Sequence, residues 1–116
     1  MSRRINTALL AAQRSQAAVF AALGDRTRLQ LLGRLSLGEP CSISELSSDA
    51  AVTRQAITKH LEALAGAGIV RGSRQGRERI WQLETKRLEQ ARRYLDQIST
   101  QWDAAIDRLR ALVEDS

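Results

Sequence analysis

Residues 53–60 carry Arg54, Gln55, Thr58 and Lys59 within about two turns of a potential helix, opposite the apolar positions Ile57, Leu61 and Leu64. Arginine and lysine can donate to the two acceptors of a guanine edge, and a glutamine amide matches adenine, so this face has groups able to read bases. Thr53 stands at the helix start, where a phosphate oxygen is the better partner. The same residue types also fit a solvated polar helix face, and by themselves they favour that plainer reading. Arg71, Arg74, Arg77 and Arg79 crowd a second segment, and such cations repel one another unless an anion neutralises them. Arg74 and Arg77 are the expected backbone-phosphate contacts and Arg79 is grouped with them. Gln75 has the reach to probe a minor groove.

Other reactive residue types are sparse. His60 is the single histidine and cannot build a metal site alone, so a structural or nucleic-acid-proximal role fits it better. Cys41 is the single cysteine, which excludes a disulfide within the chain and argues against an oxidising compartment. A redox role for Cys41 needs a lowered thiol pKa or a resolving partner, and the plainer reading is a small, partly buried hydrophobe. Asp96, Asp103 and Asp107 lie among arginines on a helix face and read as solvated charges. With no nucleophile–base pair, glycine-rich phosphate loop or histidine cluster, the chain is expected to be no enzyme and to need no cofactor or metal.

The gross numbers narrow the partner. At 116 residues there is room for one domain, 1–116, and aromatics at 3% beside abundant Ala and Leu favour helices packed on helices. Eighteen Lys and Arg against thirteen Asp and Glu leave a formal charge of +5, suited to a polyanion. Nucleic acid leads and an anionic membrane surface follows. The apolar stretch near the start is broken by Gln13 to Gln16 too early for a signal peptide, and no apolar run approaches the ~20 residues of a membrane span. A soluble, cytoplasmic protein without membrane contact is expected.

These groups need a scaffold, and the hydrophobic periodicity supplies one. Ile5, Leu9, Ala12, Val19 and Leu23 mark a first helix that Gly24 stops. Asp25 caps a second, with Leu29, Leu31, Leu32 and Leu35 inward. Ser42-Ile43-Ser44-Glu45 forms a capping box that opens a short third helix to about Ser48. Thr53 caps a fourth, ending near Gly66-Ala67-Gly68, and the pair makes a helix-turn-helix. Residues 69–74 and 77–83 alternate as two strands of a wing, turning at Gln75-Gly76, with Trp81 and Leu83 on the inner face. Residues 85–114 contain neither Gly nor Pro and repeat Leu88, Ala91, Leu95, Ile98, Trp102, Ala105, Leu109 and Leu112 at spacings of three and four. Such a stripe on so small a domain needs a partner. The predicted fold is mainly α, about five helices plus a two-stranded wing.

Three stretches, Ala22-Leu23-Gly24-Asp25-Arg26-Thr27-Arg28-Leu29, Thr53-Arg54-Gln55-Ala56-Ile57-Thr58-Lys59-His60-Leu61 and Ala67-Gly68-Ile69-Val70, resemble the ArsR/SmtB family of repressors. The likeness extends to the wing Arg74-Gln75-Gly76-Arg77 and covers roughly residues 18 to 83. It implies a homodimeric winged helix-turn-helix protein whose fourth helix enters the major groove, whose wings grip flanking backbone, and whose last helix, 85–114, dimerises. The expected seam is Leu9 with Leu88, Ala91, Leu95, Ile98, Trp102, Ala105, Leu109 and Leu112. The expected DNA-facing residues are Thr53, Arg54, Gln55, Thr58, Lys59, His60, Arg74, Gln75, Arg77 and Arg79. The family commonly senses metals through paired cysteines in the third helix or histidines and carboxylates in the last. Here the third helix has no Cys and the last has no His. The resulting expectation is a repressor on a palindromic operator in double-stranded DNA, of the kind lacking those metal sites. The alternatives are a metal- or redox-responsive sensor of the same family and a winged-helix module that binds protein only. The residues name no effector, although Trp81 and Trp102 are candidates to line a small apolar pocket near the dimer interface.

Overall fold

The helix boundaries follow caps that the sequence carries. In the computed structural model, which describes residues 3–48 and 51–115 but only the backbone of 3–6, 8 and 9, α1 (Arg3–Leu23) ends before Asp25. Asp25 is extended and accepts from the Arg28 N–H at 3.0 Å, starting α2 (Arg26–Leu35). The capping box forms as expected. Ser42 Oγ accepts from the Glu45 N–H at 3.2 Å and Glu45 Oε1 accepts from the Ser42 N–H at 3.3 Å, opening α3 (Ile43–Ser48).

Thr53 starts α4 (Arg54–Gly66), its hydroxyl oxygen accepting from the Ala56 N–H at 3.1 Å. At the other end of α4, Gly68 takes φ +78, which a Cβ would disfavour. Its N–H donates to the Ala65 carbonyl and the Ile69 N–H to the Leu64 carbonyl, both at 3.0 Å. That is the Schellman pattern, and the apolar contact it usually brings is available from Leu64 and Ile69, both fully buried. The turn therefore ends α4 and aims the next strand in one step.

The wing is β2 (Val70–Gln75) and β3 (Glu78–Leu83), paired antiparallel from Val70↔Leu83 to Gln75↔Glu78. The connecting pair is Gly76-Arg77, one residue beyond the expected Gln75-Gly76, with Gly76 at φ +63. A two-residue hairpin loop that begins on positive φ follows the twist of its strands. Arg77 therefore sits at the tip.

The sheet has three strands where two were expected. β1 (Cys41–Ser42) pairs with the other edge of β3, Cys41↔Trp81 and Ser42↔Ile80, giving the order β1-β3-β2. Two residues leave no alternation to detect, yet they cover backbone groups that β3 would otherwise present bare. A second departure is Leu29, placed inward by the sequence reading but 53% exposed. At ~100° per residue it points roughly 110° from the mean direction of Leu31, Leu32 and Leu35, which are buried.

Ile57, Leu61 and Leu64 of α4 are fully buried where α4 packs on α1, α2, α3 and β2, and Ala91 of α5 (Thr85–Glu114) joins the same cluster. Each contributes about 1.5–3 kcal/mol of apolar transfer. Trp81 is fully buried in the same cluster. Among the described residues no helix is long and apolar enough to cross a membrane.

Candidate nucleic-acid interface

The buried triad of α4 decides where its polar residues point. With Ile57, Leu61 and Leu64 inward, Gln55 and Lys59 are exposed on the far side. Arg54 is exposed and Thr58 half-buried, and both turn toward the wing. The Thr58 hydroxyl donates to the Arg54 carbonyl at 3.0 Å, leaving its oxygen free to accept. Thr53 keeps its capping bond and remains exposed. Arg54 and Thr58 line a cleft of about 250 Å³ with Arg77, Glu78 and Arg79, and Ile43 forms part of its wall. Three arginines from two elements thus border one opening.

Along the wing, Arg74 stands directly opposite Arg79 in register. Like charges in that position destabilise a sheet unless something neutralises them. Arg79 is partly neutralised from within. Its guanidinium carbon lies 4.5 Å from the centre of the Trp81 ring, and Nη1 is 3.5 Å from Glu62 Oε1 of α4. Arg74, Gln75 and Arg77 are exposed. Glu62 was not singled out in the sequence, although an acid two turns from Arg54 on a cationic face was a signal.

His60 takes a different direction from the other polar residues of α4. It is half-buried, with Nδ1 3.7 Å from Asp25 Oδ2 at the cap of α2, so it bridges the two helices. Asp25 is held below the ordinary carboxylate range chiefly by the Arg28 backbone N–H, which outweighs an opposing desolvation, while the nearby charges of His60 and Arg28 add smaller lowering effects.

The long helix α5 divides its stripe. Ala91 is buried and Leu88 half-buried, both against the chain's own core, with α1 alongside. Beyond Ile98 every described position except Ala105 is exposed, including Trp102 at 65%, Leu109 and Leu112. Ile106 and Val113, which the sequence reading left out, extend the same bare face. Leu9 belongs to α1, with its side chain outside the described residues. Trp81 does not line a pocket with Trp102, because its indole is enclosed in the core beneath Arg79.

Cys41 is buried, and its thiol donates to the Glu39 carbonyl at 3.5 Å. Burial, then the Glu45 carboxylate, push its pKa up, the reverse of what a reactive thiolate needs. Among the described residues no three of the His, Cys, Asp and Glu side chains are grouped to hold a metal.

Known proteins share this arrangement. A helix-turn-helix domain profile matches residues 23–73. The HTH-type transcriptional regulator Rv2034 of Mycobacterium tuberculosis is 33% identical over 101 residues, 87% of this chain and 91% of its own. The fold is matched by an ArsR-like transcriptional regulator from Rhodococcus sp. RHA1, 34% identical, at a TM-score of 0.78 over 88% of this chain and 95% of that one. A homodimeric winged helix-turn-helix DNA-binding domain of Mycobacterium bovis, solved in solution, shares the fold at a TM-score of 0.61 and 23% identity, over 93% of each chain. Its relatives being regulators of transcription and not enzymes, the chain belongs to the ArsR family of winged helix-turn-helix transcriptional regulators.

Proposed function

We infer that this regulator is a repressor that grips a palindromic operator as a homodimer, with α4 in the major groove and the wing on the flanking backbone. The observation that carries the reading is the cleft where Arg54 and Thr58 of α4 meet Arg77 and Arg79 of the wing. A helix reading base edges and a hairpin tip holding phosphate would share one stretch of duplex there. Gln55 and Lys59 face bases, Thr53 and Arg54 meet the groove edge, and Arg74, Gln75 and Arg77 lie along the backbone and minor groove. His60 is the least direct of the set, since it is turned to Asp25.

The dimer reading rests on the bare face of α5, where Leu95 and, in its second half, Trp102, Ile106, Leu109 and Leu112 are exposed apolar residues. Two copies joined there with α1 place their recognition helices on one side of DNA, with half-sites ~10 bp apart. The M. bovis domain, of the same fold, is itself homodimeric.

The test is selection of bound fragments from the source genome, followed by a reporter carrying the enriched site. Repression predicts a twofold-symmetric site and reporter output that falls when the protein is present. Output that rises instead would make the protein an activator, and an absence of enriched fragments would remove the operator reading.

A further inference from the structure

We propose that the groove between α1 and α5 is an effector site for a small aromatic hydroxycarboxylate, and that its occupant weakens DNA binding. The groove encloses about 390 Å³ and is lined by Ser15 and Gln16 of α1 and by Gln90, Arg93, Tyr94 and Gln97 of α5. That volume lies in the range of small-molecule sites, which combine an apolar wall with a few convergent polar groups.

Three features select the ligand chemistry. Gln16 borders the groove, and its Oε1 is shielded from solvent and accepts no hydrogen bond among the described residues, so a turn of this side chain would bring an unpaired acceptor to a ligand O–H. Arg93 has only a loose partner. Glu89 already accepts from Arg92 through both oxygens, at 2.7 Å and 3.1 Å, and lies 3.7 Å from Arg93. A carboxylate would offer Arg93 the bidentate partner that Glu89 gives to Arg92. The Tyr94 ring borders the groove and stands 6.3 Å from Phe20, tilted by 44°, so an aromatic wall is already in place for a flat ring.

The groove also lies beside the expected dimer seam. At ~100° per residue, Gln90, Arg93 and Gln97 fall on a flank of α5 away from Ala91, Leu95, Ile98 and Trp102. Pairing through the apolar stripe of α5 leaves this α5 wall of the groove uncovered.

A physical connection runs from the groove to the DNA-reading helix. Ser15 Oγ, on the groove wall, accepts from Arg87 Nη1. The stem of Arg87 lies against Gly68, the residue that closes α4, so close that a Cβ there would stand 3.0 Å from Arg87 Cγ. A ligand that takes the Ser15 hydroxyl, or moves α1 against α5, releases Arg87 from this tie. Such a ligand shifts DNA affinity only through its unequal affinity for the tied and released states, and bound DNA must weaken the ligand by the same factor.

The regulatory half rests on the DNA-binding reading, whereas the binding half does not, so the two are measured separately. The full chain without DNA is titrated with 4-hydroxybenzoate, benzoate and inorganic phosphate by calorimetry. Saturable binding of 4-hydroxybenzoate is expected, weaker binding of benzoate, and none of phosphate. Arg93→Gln should weaken 4-hydroxybenzoate by about tenfold or more. Gln16→Leu, which removes an orphaned acceptor and should leave the fold intact, should abolish the preference over benzoate. No binding up to about 10 mM, phosphate binding as well as the aromatic acids, or indifference to both substitutions would overturn the site. With the selected operator, saturating 4-hydroxybenzoate should lower DNA affinity in the parent chain and leave it unchanged in Arg93→Gln. An equal affinity with and without ligand in the parent chain would overturn the regulatory role.

Discussion

Arg77 and Arg79 are two residues apart, yet the structure gives them different work. Arg77 is free at the hairpin tip, so Arg77→Ala should weaken binding about equally on all DNA sequences and reduce the slope of log affinity against log salt by about 1. An unchanged slope in a salt titration would remove Arg77 from the phosphate contacts. Arg79 is partly spent on Glu62 and Trp81. Glu62→Gln should therefore tighten DNA binding by a few-fold, because it releases a cation and removes a repelling carboxylate; weaker binding in the same titration would refute this. Asp25 gives a pH signature. Its folded pKa is depressed below the ordinary 3.8, so its capping contribution is present above that value and lost as pH falls through the folded pKa. Thermal melts of the parent chain and Asp25→Asn should thus differ in pH dependence only under acid conditions. At this scale the polar face of α4 was legible, because Ile57, Leu61 and Leu64 fix its orientation. The direction of His60 and the pairing of Glu62 were not, since both depend on which elements α4 packs against.

Among the elements, α4 and α5 carry opposite designs. The helix α4 is short, capped at both ends and buried on one stripe, so it is held rigidly. Thr53→Ala removes the bond to the Ala56 N–H and should cost about 1 kcal/mol by chemical denaturation, with a further loss of DNA affinity if the hydroxyl also meets phosphate. The last helix is bound to its own chain only over its first half. Leu109→Asp, at an exposed position, should leave the helical content of the folded chain intact by circular dichroism while converting dimer to monomer in sedimentation and abolishing operator binding. The same change at Ile98, which is half-buried within its own chain, should also cost folding stability, and that contrast separates seam from core. The caps and the heptad stripe were readable because each is a local pattern. The third strand was not, since two residues at Cys41–Ser42 acquire their strand character from β3 alone. The stripe likewise gave no sign of where the chain's own core ends, since Leu88 and Ala91 pack on it while Leu109 and Leu112 of the same stripe are exposed.

The whole molecule is extended for its length. Its radius of gyration is 19.3 Å, against about 13 Å for a compact domain of this size, and its longest dimension is 68 Å. A helix of ~45 Å accounts for most of this, projecting an apolar face that a single chain leaves wet. In the proposed dimer, joining two such faces would pair the α4 helices and the wings, which makes dimerisation and DNA binding one geometric requirement of that proposal. The measurement that bears on this most directly is sedimentation of the protein with a duplex carrying its selected genomic site, together with a footprint of that duplex. Two chains per duplex, protecting half-sites ~10 bp apart, are expected. One chain per duplex, or a single protected patch without twofold symmetry, would contradict it.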